Sequence, residues 1–392
     1  MKKIGFVTPW YGDKIPGGAE METRELVKHL VAAGIECEIL TTCAEKFASD
    51  WNKNYYRPGY TLENSVPVRR FKVRKRNAVA FDQINKKLMQ NERINMQEEK
   101  VFVSEMINSP ELYSYMEKRQ SEYSCFVFIP YMFGTTYFGC QICPEKSILI
   151  PCLHDESYAY IQLFQKAYAN VRGMVFNALP EEKLAEKLYG VHGENFRTIG
   201  IGVEEMVDAD AMRFKKKYHI DEPFILYAGR KEKGKKVDVL LENFTRFKRN
   251  NPSNLKLILI GGGKIEIPSD DIIDLGFVSV EDKCDAYAAA TLFCNPSQFE
   301  SFSLVIMESW LAGRPVLVNG DCRVTRNFVS QSNGGLYYEN YSEFEKCISW
   351  ILNHQREADQ MGCNGQNFVR NNFTWNVIVG QYKDYFEKME KK

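Results

Sequence analysis

Residues 255–263 read LKLILIGGG. Five of the first six are apolar, and the run is far too short to cross a membrane. A short strand that is apolar on both faces suits a parallel sheet covered by helices on either side. The three glycines that close it, Gly261, Gly262 and Gly263, allow a tight turn and a close backbone approach. Working outward, Phe224–Ala228 is a second apolar run. Between the two, Val237, Leu240, Leu241, Phe244 and Phe247 fall on one face of a helix over 237–249. Strand, helix and strand in that order make a βαβ unit.

The same alternation continues in both directions. Downstream come apolar segments at Ile272–Leu275, Ala286–Ala290 and Leu292–Asn295, a helix from about Ser303 to Ala312, and a strand at Pro315–Val318. Residues 342–390 read as wholly helical. Upstream, Ile4–Thr8 is a first strand. Ala19, Thr23, Leu26, Val27 and Leu30 then mark a helix over 19–33, with Gly34 as its stop and Glu36–Thr41 as the next strand. Further strands are predicted at Val66–Phe71, Cys125–Ile129, Ile148–Cys152 and Met174–Asn177. Residues 82–120 are polar and mostly helical, a long excursion from the sheet. The pattern restarts near 205. The fold class is therefore α/β, with two doubly wound Rossmann-like domains over 1–203 and 204–373 and a helical segment over 374–392. Two such domains facing each other form a deep interdomain cleft, and ligands of such sheets bind outside the carboxyl ends of the strands.

Composition narrows the function. The chain has 392 residues, 44% hydrophobic and 26% charged, which excludes a largely disordered chain. Lys+Arg and Asp+Glu are both 51, so the net charge is zero and bulk nucleic-acid binding is not expected. The eleven cysteines are odd in number and lie in apolar runs, as Cys37, Cys125 and Cys294 do. Free buried thiols in a reducing compartment fit that pattern. One CxxC, Cys140 to Cys143, has no second pair to complete a zinc site. The opening MKKIGFVTPWYG reads as a strand rather than a signal peptide, and no apolar stretch is long enough to span a bilayer. The expected location is the cytoplasm or the inner face of a membrane.

Four constellations follow strand ends. Pro16-Gly17-Gly18-Ala19-Glu20 opens the first helix, and a glycine-rich helix start admits an anion. It lacks the third glycine of a dinucleotide fingerprint, and a plain tight turn reads equally well. Arg230 and Lys235 bracket a basic loop after Phe224–Ala228; a guanidinium fork and an ammonium suit a diphosphate, whereas a bare basic loop is often only solvated. Glu300 and Glu308 flank ESFSLVIME, where Ser301 or Ser303 could cap a helix. Eight helical steps would separate the two carboxylates by about 12 Å, roughly the length of a sugar joined to a ribose through two phosphates. An ordinary capped helix with two surface glutamates is the bland alternative. His154-Asp155 follows the Ile148–Cys152 strand, where a lone histidine is commonly structural.

Taken in order, GGAE at 17, HD at 154, GR with a lysine five residues on at 235, IGGG at 261, LGFVS at 275 and ESFSLVIMES at 300 resemble the retaining glycosyltransferases of family 4, of the GT-B fold. The likeness runs from residue 1 to a C-terminal helix opened by Trp375, similar to the family's helix that crosses back to the first domain. The resemblance implies transfer of a sugar from a nucleotide diphosphate donor with retention of configuration. It implies that Arg230 and Lys235 bind the diphosphate, that Glu300 contacts the donor sugar, and that His154 stands beside the transferred sugar. It further implies that Glu308 holds the ribose, that the backbone of Phe302, Ser303 and Leu304 approaches phosphates and sugar, that Gly17 and Gly18 close over the diphosphate, and that the base is read near Val278. No cofactor and no metal are implied. The partners would be the nucleotide-sugar donor and a glycan or lipid-linked acceptor of cell-surface polysaccharide synthesis.

The pattern departs from the family's commoner one at Ser303, where glycine is usual, and at Ser309-Trp310, where Ala-Met is usual. Asp208-Ala209-Asp210 has the DxD string of metal-dependent transferases, but it lies in the expected linker. In the basic run 68–76, a strand would place Arg70, Lys72 and Arg74 on one face, which could draw the chain to an anionic membrane. A solvated strand face is the simpler reading. Two rival functions are a sugar-nucleotide epimerase of the same architecture and a non-catalytic two-lobed nucleotide-sugar-binding protein. The glutamate spacing argues against the first, the Arg230/Lys235 clamp against the second.

Overall fold

In the computed structural model, which describes residues 2–206 and 208–391, the chain divides into two units. One comprises residues up to 202 together with those from 378 onward, and the other spans 203–377. The divisions fall at 202/203 and 377/378, within the helix Trp375–Lys391 in the second case.

The first unit is built on β1 (Lys3–Thr8), β2 (Cys37–Thr42), β3 (Gly59–Glu63), β4 (Val66–Phe71), β5 (Tyr123–Phe128), β6 (Ser147–Leu149), β7 (Gly173–Phe176) and β8 (Phe196–Thr198). Their order is β3-β4-β2-β1-β5-β6-β7-β8, and every pair is parallel except β3 with β4. Ile4, Phe6 and Val7 of the central β1 are fully buried, which explains why that strand reads as apolar throughout. The helix Gly18–Ala32 follows β1, and Gly34 sits just past its end at φ 81°, the left-handed stop that a glycine makes easily. The excursion is three helices, Ala78–Met89, Met96–Glu105 and Pro110–Arg119. Each starts on a side-chain cap, from Asn77, Asn95 and Ser109, and Asn95 with Glu98 forms a full capping box. Phe81 stacks on Phe102 at 4.9 Å, tying the first two together. The C-terminal helix joins this unit through Tyr385, whose hydroxyl donates to the Asn195 carbonyl at 2.8 Å.

The second unit holds β9 (Phe224–Ala228), β10 (Lys256–Ile260), β11 (Ile272–Gly276), β12 (Leu292–Asn295), β13 (Val316–Asn319) and β14 (Gly335–Tyr338), all parallel in the order β11-β10-β9-β12-β13-β14. The helix Val237–Asn250 buries the five residues that its spacing selects. Trp310 is fully buried and donates its indole N–H to Gly334 at 2.8 Å. A Cβ on Gly365 would lie 2.1 Å from its ring, so glycine opposite makes room for the tryptophan that departs from the family pattern.

Several expectations need correction. β6 ends at Leu149, not Cys152, because Cys152 turns to φ 52° and cannot continue a strand. β4 ends at Phe71, so Arg70, Lys72 and Arg74 do not share one strand face. Arg70 is buried, its guanidinium held by Glu63 and by the Tyr11 carbonyl at 2.9 Å. Arg69 meets Glu38 at 2.9 Å, Arg74 meets Glu105 at 3.4 Å, and Arg76 lies over the Trp51 ring at 4.5 Å. β3, which the sequence reading missed, is an exposed edge, with Tyr60 and Leu62 open to water. The eleven cysteines are all free. Asp210 of the DxD string caps the helix Ala211–Tyr218, accepting from the Met212 and Arg213 N–H groups at 2.8 and 3.2 Å. No helix among the described residues is long and apolar enough to cross a membrane.

Candidate functional site

In the second unit the turns after β9, β10 and β11 are bonded into one platform. Gly229 N–H donates to Ile260 O at 3.0 Å, Lys231 N–H to Gly262 O at 2.7 Å, and Gly261 N–H to Gly276 O at 2.7 Å. Gly261 is at φ 117°, and a Cβ there would lie 2.2 Å from the Gly229 carbonyl oxygen, so only glycine lets these turns meet. Arg230 projects from the platform with its side chain 67% exposed, 3.2 Å from Glu232. Lys236 adopts φ 54° and starts the helix Val237–Asn250. The Lys235 ammonium reaches back across the unit and donates to Glu300 Oε1 at 2.8 Å. This ion pair joins two of the predicted site residues that stand 65 positions apart.

The helix after β12 begins at Leu304, so Glu300 lies in the loop before it. The helical arithmetic from Glu300 to Glu308 therefore fails, since only the stretch from Leu304 to Glu308 is helical. Ser303 is the N-cap residue but makes no side-chain cap. Its hydroxyl instead accepts from Asn295 Nδ2 at 2.8 Å. Its φ of 79° is left-handed, which supplies the reason that glycine is the commoner residue at this position. An uncapped helix start leaves N–H groups that attract an anion. Phe302 is buried, edge-on to Phe328 and Phe373 at 5.3 and 5.0 Å, so its side chain is core and only its backbone can serve a ligand. Leu304 is half-buried at the helix start.

Glu308 is held by two residues that the sequence reading missed. Lys283 donates to its Oε1, and the Tyr287 hydroxyl donates to its Oε2 at 2.9 Å. Burial and the neighbouring Glu308 carboxylate push the Tyr287 hydroxyl well above its ordinary range, so it stays a donor. Both partners come from the helix Val280–Ala289, one turn apart, but nothing in the sequence ties that helix to Glu308. Val278 is half-buried in the turn after β11, next to Phe277, which is 86% exposed.

The first unit has its own strand-end cluster. Gly17 is the N-cap of the first helix at φ 143°, and a Cβ there would lie 1.9 Å from Glu20 Oε2. Gly18 has open space around it. Glu20 accepts from the Trp10 indole at 2.7 Å. His154 lies in the loop after β6, partly exposed, with Nδ1 3.5 Å from Glu156. Behind it sits a group that the sequence did not reveal. Glu181 accepts the Leu153 and Asn177 N–H groups, both at 2.6 Å. Glu22 accepts from Asn177 Nδ2 at 3.1 Å and from the Cys152 thiol at 3.3 Å. Burial pushes the Glu22 carboxyl up to about 7 and that of Glu181 up to about 8, and it raises the Cys152 thiol well above its ordinary range.

Two doubly wound α/β units, one of them gathering cations, carboxylates and a bare helix start at its strand ends, define the GT-B class. Residues 208–368 match the family described as Glycosyl transferases group 1. The mannosylfructose-phosphate synthase of Agrobacterium fabrum is 22% identical over 217 residues, 49% of this chain and 48% of that protein. The D-inositol 3-phosphate glycosyltransferase 1 of Catenulispora acidiphila is 30% identical over 166 residues, 37% of this chain and 40% of that protein. The chain spans about half the length of the curated relatives it matches. Among solved structures, a sucrose-phosphate synthase from Thermosynechococcus elongatus aligns with a TM-score of 0.71 at 16% identity, covering 99% of both chains. Anabaena HepE in complex with UDP and glucose aligns with a TM-score of 0.69 at 16% identity, covering 99% of this chain and 100% of that one. At such identity the likeness is one of fold.

Proposed function

We propose that the protein is a retaining glycosyltransferase that moves a sugar from a nucleotide diphosphate donor to a glycan or lipid-linked acceptor in cell-surface polysaccharide synthesis. The observation that carries this reading is the Lys235–Glu300 ion pair, made by the loop that also carries the exposed Arg230 and lying within the stretch that matches the family. Breaking the sugar–phosphate bond sends its electron pair to the leaving diphosphate and builds positive charge on the anomeric carbon. Arg230, Lys235 and the uncapped start of the helix Leu304–Leu311 are the groups that would stabilise the leaving charge. Glu300 would face the donor sugar and Glu308 the ribose hydroxyls. The leaving phosphate would take the acceptor's proton on the same face, so the reading needs neither a strong protein base nor a metal. HepE is solved with UDP and with UDP-glucose, which makes a uridine donor the first to try. Membrane contact draws no support from the 68–76 run, whose arginines are engaged within their own unit.

The test is a set of thermal shifts with UDP, GDP, dTDP and ADP, with Mg²⁺ or with EDTA. A ligand at ~100 Kd that binds only the folded state adds about 2.7 kcal/mol. A selective shift that survives EDTA is expected. Absence of any shift in folded protein would overturn the donor site. Hydrolysis of the matching nucleotide sugar without acceptor then separates an enzyme from a binding protein.

A further inference from the structure

Lys231 differs from every other cation of its loop. Its neighbour Arg230 is 67% exposed, whereas the Lys231 side chain is 1% exposed. A buried ammonium is costly unless fully partnered. Here it donates to the Gly261 carbonyl and to Asp274 Oδ1 at 2.9 Å. Asp274 Oδ1 also accepts the Gly276 N–H at 2.9 Å. One ammonium therefore contacts the turn after β10 and the end of β11 at once, from the turn after β9. The loop cannot drift from this position without stranding a charge. A Cβ on Gly263 would come 2.8 Å from the Lys231 carbonyl oxygen, so the turns are already in contact.

We propose that Lys231 is a positioning residue for the donor: it ties the turn that carries Arg230 to the turn that carries Val278, and so fixes the separation between the diphosphate end and the base end of the site. The proposal rests on the donor reading above. Its physical consequence is specific. A nucleoside diphosphate engages both turns together, so its affinity depends on their spacing being set beforehand. Inorganic pyrophosphate engages only the Arg230 end and is indifferent to that spacing.

The experiment compares the wild-type protein with Lys231→Met/Asp274→Asn, in which the asparagine oxygen can still accept from Gly276. Asp274→Asn alone is the milder companion, should the double variant unfold. Titration calorimetry is run with whichever of UDP, GDP, dTDP and ADP the wild type binds, and with pyrophosphate. We expect the nucleoside diphosphate Kd to rise about tenfold in the double variant and less in the single one, with pyrophosphate affinity unchanged. Nucleoside diphosphate binding within twofold of wild type in folded variants overturns the proposal. So does a parallel loss of pyrophosphate binding, which would make Lys231 a contributor to the charge or folding of the Arg230 end. Failure of the wild type to bind any of the four nucleotides overturns the donor reading itself and this proposal with it.

Discussion

In the first unit the carboxyl groups behind the strand ends are sealed from water. Glu22 and Glu181 meet backbone and side-chain N–H groups and a thiol, and burial holds both carboxyls well above their ordinary range. In the second unit the carboxylates stay partly exposed and each meets a lysine, Glu300 with Lys235 and Glu308 with Lys283. Both sheets are parallel but for the β3–β4 edge, yet the electrostatics are opposed. A buried carboxyl without a cation favours its neutral form and serves as a fixed hydrogen-bonding post. A partly exposed carboxylate beside an ammonium can exchange partners with an anionic or hydroxylated ligand. On the proposed reading, anion chemistry belongs to the second unit and loop support to the first.

The largest expected effect breaks the second side of that comparison. Arg230→Ala should lower turnover by on the order of 10²–10³, the usual cost of removing one such donor from a developing charge. Steady-state kinetics with the donor found by thermal shift would show it, and near-normal turnover would remove the phosphate-clamp role.

The first side is tested by pH. An ordinary glutamate titrates near 4.5, whereas Glu22 is held at about 7 in the fold. Between those values the folded chain keeps a proton that the unfolded chain has lost. Stability from this group is therefore full below about pH 4.5, falls as pH rises towards 7, and is level above. The slope amounts to something on the order of 3 kcal/mol. Glu22→Gln should shrink the fall in stability between pH 5 and 7, leaving the part that Glu181 contributes, and raise stability at pH 8. A variant with the wild-type slope would show that Glu22 is ionised in the fold.

Glu308→Gln sharpens the second side. It removes the charge that Lys283 and Tyr287 hold in place. We expect about tenfold weaker nucleoside diphosphate binding, in line with the loss of one hydrogen bond to a charged group, and unchanged pyrophosphate binding. Equal loss of both would place Glu308 nearer the phosphates than the ribose.

The smallest effect is expected from Ser303→Gly. Relief of a left-handed φ of 79° offsets the lost hydrogen bond from Asn295, each worth about 1 kcal/mol. The melting temperature should move by no more than about 3 °C, with nucleotide binding intact. A sharp loss of binding would mean that the serine hydroxyl itself contacts the donor.

Much of this fold is legible along the chain because its cause is local. Leu255–Ile260 is apolar at five of six positions and is buried on both faces. The Val237–Arg249 pattern names the five side chains that become buried. The short strand β3 was not read, since five residues with two exposed apolar side chains do not stand out from a loop. The helix start near Ser303 was legible but its cap was not, because a serine in that sequence invites a cap and only its contact with Asn295 shows where the hydroxyl goes.

For the site, the residue types and their order were visible: Arg230, Lys235, Glu300 and Glu308 follow strand ends, where an α/β sheet exposes its ligands. Their partners were not. Lys283 and Tyr287 on Glu308, Asp274 on Lys231, and the thiol and amide on Glu22 come from elements distant in sequence, and only packing brings them together. Local patterning sets which elements form and which residue types stand at their ends, because periodicity, capping and glycine placement act over a few residues. Tertiary structure alone decided which carboxyl groups are sealed and which are paired, because burial and Coulomb attraction depend on what lies within a few ångströms in space.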